Sequence, residues 1–450
     1  MYCSPVWPGP DSKTINERRN PPENAVLDQL KFDYMDDCIV YYLPIAIPEA
    51  GAQMAAREEL DQFRSEVAKF IESELPDDLK NVSTVRSAFD EDAGVSDWAA
   101  PSLKEARTKW REALRDKGWL APAWPVKYGG AGLSPAHQFV LIDEFIKHNA
   151  PRFFDMGLAM IGPTIISHGK EEQKQRMLPP ILSGEDEWCE LFSEPGAGSD
   201  LAGLSCRAVP DGDEYIVNGQ KMWTSLANRA KWGLLMARTD PEAPKHRGIS
   251  MMRVSMKAAG VTVRRINNLT DHPFNEVFFE DVRVPVNDVI GEAGMGFYYL
   301  MSLLDTERSA ISQVATIERT LDALFELARS PKLPPLSKAA RTELVNRAIE
   351  VEVLRGLSQG VAELQFSGKT PTHQASVLKL YHTELAQRIA ATGMKMIETH
   401  GLLFRGEKQA PLDGMIAQQY LYASTLTLQV GTSEIQRNII ATRGLGLPRG

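Results

Sequence analysis

The chain has 450 residues, 43% hydrophobic and 24% charged, which describes a globular protein long enough for two or three packed domains. A formal net charge of -9 argues against a nucleic-acid-binding surface. The four cysteines, Cys3, Cys38, Cys189 and Cys206, lack CxxC spacing, which argues against a disulfide framework or a zinc site. The longest early apolar run, Cys38 to Ile47, is too short to span a membrane. With no secretory signal in view, the expected compartment is the cytoplasm.

Residues 1–53 are rich in Pro and polar residues and lack periodicity, so they are expected to form a disordered extension. A translation start near Met54 is the alternative. From Ala55 the pattern turns helical, with Leu60, Phe63, Val67 and Ile71 at three- and four-residue steps. Further helices are predicted from Leu103 to Lys117, stopping at Gly118, and from His137 to His148.

The texture changes after Gly184. Short β-branched and aromatic runs follow: Tyr215 to Val217 before Asn218-Gly219, Gly233 to Ala237, Ile249 to Val254, Val261 to Val263, and Val277 to Phe279. They predict a small antiparallel barrel or sandwich. Helix returns after Gly296. Leu344, Ala348, Val351, Leu354, Val361 and Leu364 form one apolar stripe, and Leu378, Tyr381, Leu385, Ile389 and Met396 another. The expected class is α+β in three parts: an N-terminal helical domain (54–183), a β-domain (184–292) and a C-terminal helical domain (293–450).

Four segments, in order, carry a family resemblance: WCELFSEPGAGSDLAGL, NGQKMWTS, FNEVFFEDVRVP and GTSEIQRNIIATRGLGLP. Together they make the chain resemble the acyl-CoA dehydrogenases from about Met54 to Pro448. The resemblance implies a C-terminal four-helix bundle, bound FAD, an acyl-CoA substrate and electron transfer to an electron-transfer flavoprotein. It also implies an oligomer, either of identical chains or with a paralogue. Phe192, Ser193, Ser199, Trp223, Thr224, Ser225, Thr432 and Glu434 would contact the flavin cofactor. Trp223 would stack on the ring and Ser225 would donate to the ring nitrogen that accepts hydride. Ser199, Arg308 and the Val430 backbone would serve the substrate.

The implied reaction needs a carboxylate to remove a proton beside the thioester carbonyl. Many family members carry that Glu immediately before the Gly-Thr of the last signature, where this chain has Val430, which cannot accept a proton. A minority place it on the helix after the β-domain, as Glu followed by Arg. LLDTERSAIS supplies Glu307 and Arg308 there, so the resemblance makes Glu307 the base. Asp305, two residues away, faces another side of the helix and is the lesser candidate. The family's Arg-x-x-Phe-Gly and Gly-Gly-Asn-Gly motifs, which hold the ADP half of FAD, are absent. A non-catalytic subunit completing a partner's site, or an oxidase, are the competing readings.

Overall fold

The computed structural model describes residues 50–80, 101–153, 155–270, 272, 274–306, 311–331, 335–367 and 369–448. The expected disorder of the first residues therefore lies largely outside the described chain. The first helix, α1 (Ala50–Glu74), begins a few residues before the predicted onset of helical pattern.

In the N-terminal part, α1 is followed by α2 (Lys104–Asp116), α3 (Pro135–Lys147), α4 (Gly162–His168) and α5 (Glu171–Ser183). The start of α3 is built from Ser134, whose hydroxyl accepts the His137 N–H, and from Pro135, whose fixed φ suits the first helical position. Val67, Ile71, Trp110, Leu114, Ile165 and Ile181 fill the core between these helices. Burying such side chains contributes roughly 1.5–3 kcal/mol each.

The middle part is one seven-stranded sheet, a curled half-barrel. Its strands are β1 (Trp188–Leu191), β2 (Arg207–Asp211), β3 (Glu214–Ser225), β4 (Trp232–Arg238), β5 (Ile249–Ser255), β6 (Val261–Arg265) and β7 (Phe274–Pro285). The order is β1-β4-β2-β3-β7-β6, with β5 also paired to β4. Most pairings are antiparallel as predicted, but β4 runs parallel to β1 and, at one residue pair, to β2. Side chains alternate across β4: Leu234 and Met236 join the helical core, while Leu235 and Ala237 join the core inside the curl.

Asn218-Gly219 is not the predicted turn. β3 continues through it with a register shift between Val217 and Gly219. A Cβ on Gly219 would lie 2.7 Å from the Cys206 Cα, and its φ is +152°. The glycine is there for close strand approach rather than for a hairpin.

The C-terminal part comprises α6 (Gly296–Thr306), α7 (Ile311–Arg329), α8 (Lys338–Phe366), α9 (His373–Ile397), α10 (Met415–Leu426) and α11 (Ser433–Ile439). The two predicted stripes meet here: Leu344, Val351, Leu354 and Val361 of α8 pack with Leu378, Leu385, Ile389 and Met396 of α9. Among the described residues, no helix is long and apolar enough to cross a membrane.

Candidate functional site

Two clusters of the predicted site residues take shape, and each is held by backbone bonds that the sequence does not advertise. The first joins the loop after β1 to the end of β3. Met222 donates its N–H to the Ser193 carbonyl at 2.9 Å. Lys221 Nζ donates to the Phe192 carbonyl at 3.0 Å and to Glu194 Oε1 at 2.8 Å. Glu194 Oε2 also accepts from the Ser205 N–H and hydroxyl, both at 2.7 Å, and Oε1 from the Cys206 N–H at 2.9 Å. Both ion-pair side chains are almost wholly buried, 0% exposed for Lys221 and 3% for Glu194. Burial alone would raise the Glu194 carboxyl; the Lys221 ammonium and the Ser205 donors outweigh it and hold it below its ordinary value. This buried pair was not singled out from sequence, although SEP and KMW are both in the signatures.

A second register shift in β3, between Lys221 and Thr224, falls at Met222-Trp223. It turns the chain so that Trp223 takes a φ of 62° and stands 53% exposed, edge-on to Phe274. Bulges of this kind re-aim a side chain out of the pleat. Thr224, next in line, is buried, and its Oγ1 lies without a hydrogen-bond partner. Its carbonyl is fixed by the Asn275 side-chain amide at 3.0 Å. Ser225 Oγ lies 3.1 Å from His272 Nε2. His272 is buried, and burial pushes its imidazole down to about 4, so it is neutral near pH 7.

Phe192 and Ser193 are thus bonded to Lys221 and Met222, just before Trp223, Thr224 and Ser225 in β3. Ser199 lies further along the loop and is exposed. Gly196 and Gly198 in that loop have open space where a Cβ would sit.

The second cluster follows α10. His272 connects the two, since its ring also lies 5.6 Å from that of Tyr422 on α10. Beyond α10, Val430 has a φ of 53° and is 63% exposed, and Gly431 has a φ of 85°. A β-branched residue at positive φ is strained by about 1–3 kcal/mol. Thr432 caps α11, its hydroxyl accepting the Ile435 N–H at 3.3 Å. Glu434 is exposed, and its carboxyl is held below the ordinary value by its own backbone N–H and the Thr432 hydroxyl. A polar cleft of about 340 Å³ is lined by Glu384, Gln387, Ser433, Glu434 and Arg437, among others. Ser433 Oγ is buried there without a partner. Glu307 and Arg308 lie outside the described residues, and so do the side-chain surroundings of Asp305.

A half-exposed indole beside an orphaned buried hydroxyl, a glycine loop open to close approach and a polar cleft fit a flat aromatic group with a charged tail. FAD has that chemistry.

The family models "Acyl-CoA dehydrogenase, N-terminal domain", "middle domain" and "C-terminal domain" match residues 57–185, 189–282 and 294–445. The chain is 37% identical over 76% of its length to "Acyl-CoA dehydrogenase FadE34" of Mycobacterium tuberculosis, and spans 46% of the length of that relative. Among solved structures, it is similar to a "Tcur3481-Tcur3483 steroid ACAD", with a TM-score of 0.74 and 32% identity, covering 87% of this chain and 98% of the other. It is also similar to a chain of the ChsE4-ChsE5 complex from Mycobacterium tuberculosis, with a TM-score of 0.71 and 32% identity, covering 91% and 100%. With all three parts matched in order, the chain belongs to the acyl-CoA dehydrogenase family of FAD-dependent oxidoreductases.

Proposed function

We propose that this protein dehydrogenates an acyl-CoA thioester between its alpha and beta carbons. The observation that carries the reading is the pairing of the 192–205 loop with β3, where Phe192, Ser193 and Glu194 bond to Lys221 and Met222, the residues just before Trp223, Thr224 and Ser225. The chemistry that FAD supplies when bound is acceptance of hydride from the beta carbon.

The protein does the rest. Glu307 takes the alpha proton, the role its register in the Glu-Arg pair implies. The Val430 N–H donates to the thioester oxygen, where negative charge gathers as the proton leaves. A backbone amide can donate to an oxyanion whatever its side chain, so the valine costs the site nothing in that role. Trp223 would pack on the flavin ring, Ser225 would donate to it, and Phe192, Ser193, Ser199, Thr224, Thr432 and Glu434 would hold the cofactor. Arg308 pairs with the CoA moiety. The electron acceptor would be an electron-transfer flavoprotein.

The substrate class we favour is a bulky acyl group such as a steroid side chain, supported by the similarity to a solved steroid ACAD. Domain limits of 54–183, 184–292 and 293–450 follow from the same reading. The assembly is an oligomer. Similarity to one chain of the ChsE4-ChsE5 complex supports a partner that is a paralogue, which would also supply the missing ADP-binding motifs.

Glu307→Gln tests the base. It keeps size and hydrogen bonding but removes basicity. The variant is expected to retain its yellow flavin and lose anaerobic bleaching by acyl-CoA. Bleaching at the wild-type rate would assign the base elsewhere. A second reading, a half-site subunit without its own chemistry, is favoured by Val430 in the place of the usual Glu. A colourless protein that gains flavin and activity only when co-expressed with a paralogue would establish it.

A further inference from the structure

The backbone at Val430 is held by two side chains: Lys379, outside the signature segments, and Gln436, inside the last of them. Lys379, on α9, donates from Nζ to the Gly431 carbonyl at 2.7 Å and to the Leu426 carbonyl at 3.1 Å. Gln436, on α11, donates from Nε2 to the Val430 and Gly431 carbonyls, both at 3.3 Å. Gln436 is buried, and a Cβ on Gly431 would lie 2.6 Å from its Nε2, so the fit is close. The Ser433 N–H closes the loop onto the Thr427 carbonyl at 2.9 Å.

These bonds take up the carbonyls of residues 426, 430 and 431 from the helix side. The Val430 N–H belongs to the preceding peptide plane, with the Gln429 carbonyl, so it is held through the backbone on either side: by the Leu426 carbonyl and the Gln429 N–H, which donates to the Thr425 carbonyl at 3.0 Å, before it, and by the Val430 and Gly431 carbonyls after it. The strain of a valine at positive φ persists only where surrounding contacts over-determine it. Here the over-determination is visible: three carbonyls, two clamping side chains and a loop-closing amide. Nothing in the Val430 side chain itself, which is exposed, favours that conformation.

We propose that Lys379 and Gln436 are positioning residues that clamp the 426–431 carbonyls and so hold the Val430 N–H toward the acyl thioester. The catalytic half of this rests on the reading of that amide as the oxyanion donor; the clamp itself does not. An ammonium is suited to the task because it has hydrogens enough for carbonyls on separate turns, as the Gln436 amide has for two adjacent ones. Burial pushes Lys379 down to about 8, with Glu434 and Glu384 opposing.

The test uses the flavin-loaded protein with Lys379→Met and, as a second variant, Gln436→Met. Hydrogen exchange of residues 428–432 without substrate reads the clamp. Lys379→Met is expected to speed it at least about ten-fold while α7 and α8 keep wild-type protection, which shows the fold intact. The infrared carbonyl frequency of bound, carbonyl-labelled octenoyl-CoA reads the amide. Its shift from the free value should shrink in the variant, and kcat for acyl-CoA should fall about ten-fold or more with KM nearly unchanged. Exchange at the wild-type rate in both variants overturns the proposal. Faster exchange combined with a wild-type carbonyl frequency identical to that of the free thioester supports the clamp and removes the Val430 oxyanion reading.

Discussion

Lys221→Met is the most informative perturbation of the fold beneath the site. Lys221 Nζ bridges Phe192 and Glu194 in a space with 0% side-chain exposure, two residues before Trp223. The methionine fills a similar volume but leaves the Glu194 carboxylate buried without its cation and the Phe192 carbonyl without its donor. Breaking one side of a buried pair costs roughly 3–5 kcal/mol. Glu194 keeps three other hydrogen bonds, from the Ser205 N–H, the Ser205 hydroxyl and the Cys206 N–H, which places the loss at the low end, about 3 kcal/mol. The 192–205 loop is the element released, so the loss should appear in both thermal unfolding and flavin retention. A loss of about 3 kcal/mol expressed fully in cofactor affinity corresponds to roughly a hundred-fold. The assays are differential scanning calorimetry and flavin release followed by fluorescence. Adding Glu194→Gln removes the stranded charge, and its amide oxygen in the place of Oε2 keeps both Ser205 bonds at the loss of the weaker one from Cys206. The double variant should therefore be more stable than Lys221→Met alone. The reasoning fails if Lys221→Met melts within a degree of wild type, or if the two losses simply add.

Acidification gives a second outcome. His272 and His382 are buried, and their imidazoles drop from 6.5 to about 4 in the folded chain. Between those values the unfolded chain binds more protons than the folded one, so stability is full above pH 6.5 and lost as pH falls towards 4. At pH 5 each imidazole removes about 2 kcal/mol, read as a falling melting temperature that His272→Gln makes less steep. A flat profile from pH 7 to 5 contradicts it. Val430→Gly is a third case. An exposed valine with a φ of 53° has strain to release and little burial to lose. The glycine should hold or raise stability by about 1 kcal/mol, and a clear fall in melting temperature would show that the valine is not strained.

The order helices, strands, helices was legible in the sequence because periodicity is local: Leu378, Leu385 and Ile389 fall on one face of a helix whatever surrounds it. The signature segments likewise marked Trp223, Ser225 and Val430 by their register alone. Asn218-Gly219 misled, since the same dipeptide serves a hairpin turn and a close strand crossing, and only the neighbouring Cys206 backbone distinguishes them. The parallel pairing of β1 with β4 joins residues some forty positions apart and leaves no local trace. The same holds for Lys221 with Glu194, His272 with Ser225, and Lys379 with Gly431. Each is an ordinary polar residue in sequence, indistinguishable from one on a solvated face. Burial makes their hydrogen bonds matter, and burial is a property of the packed chain.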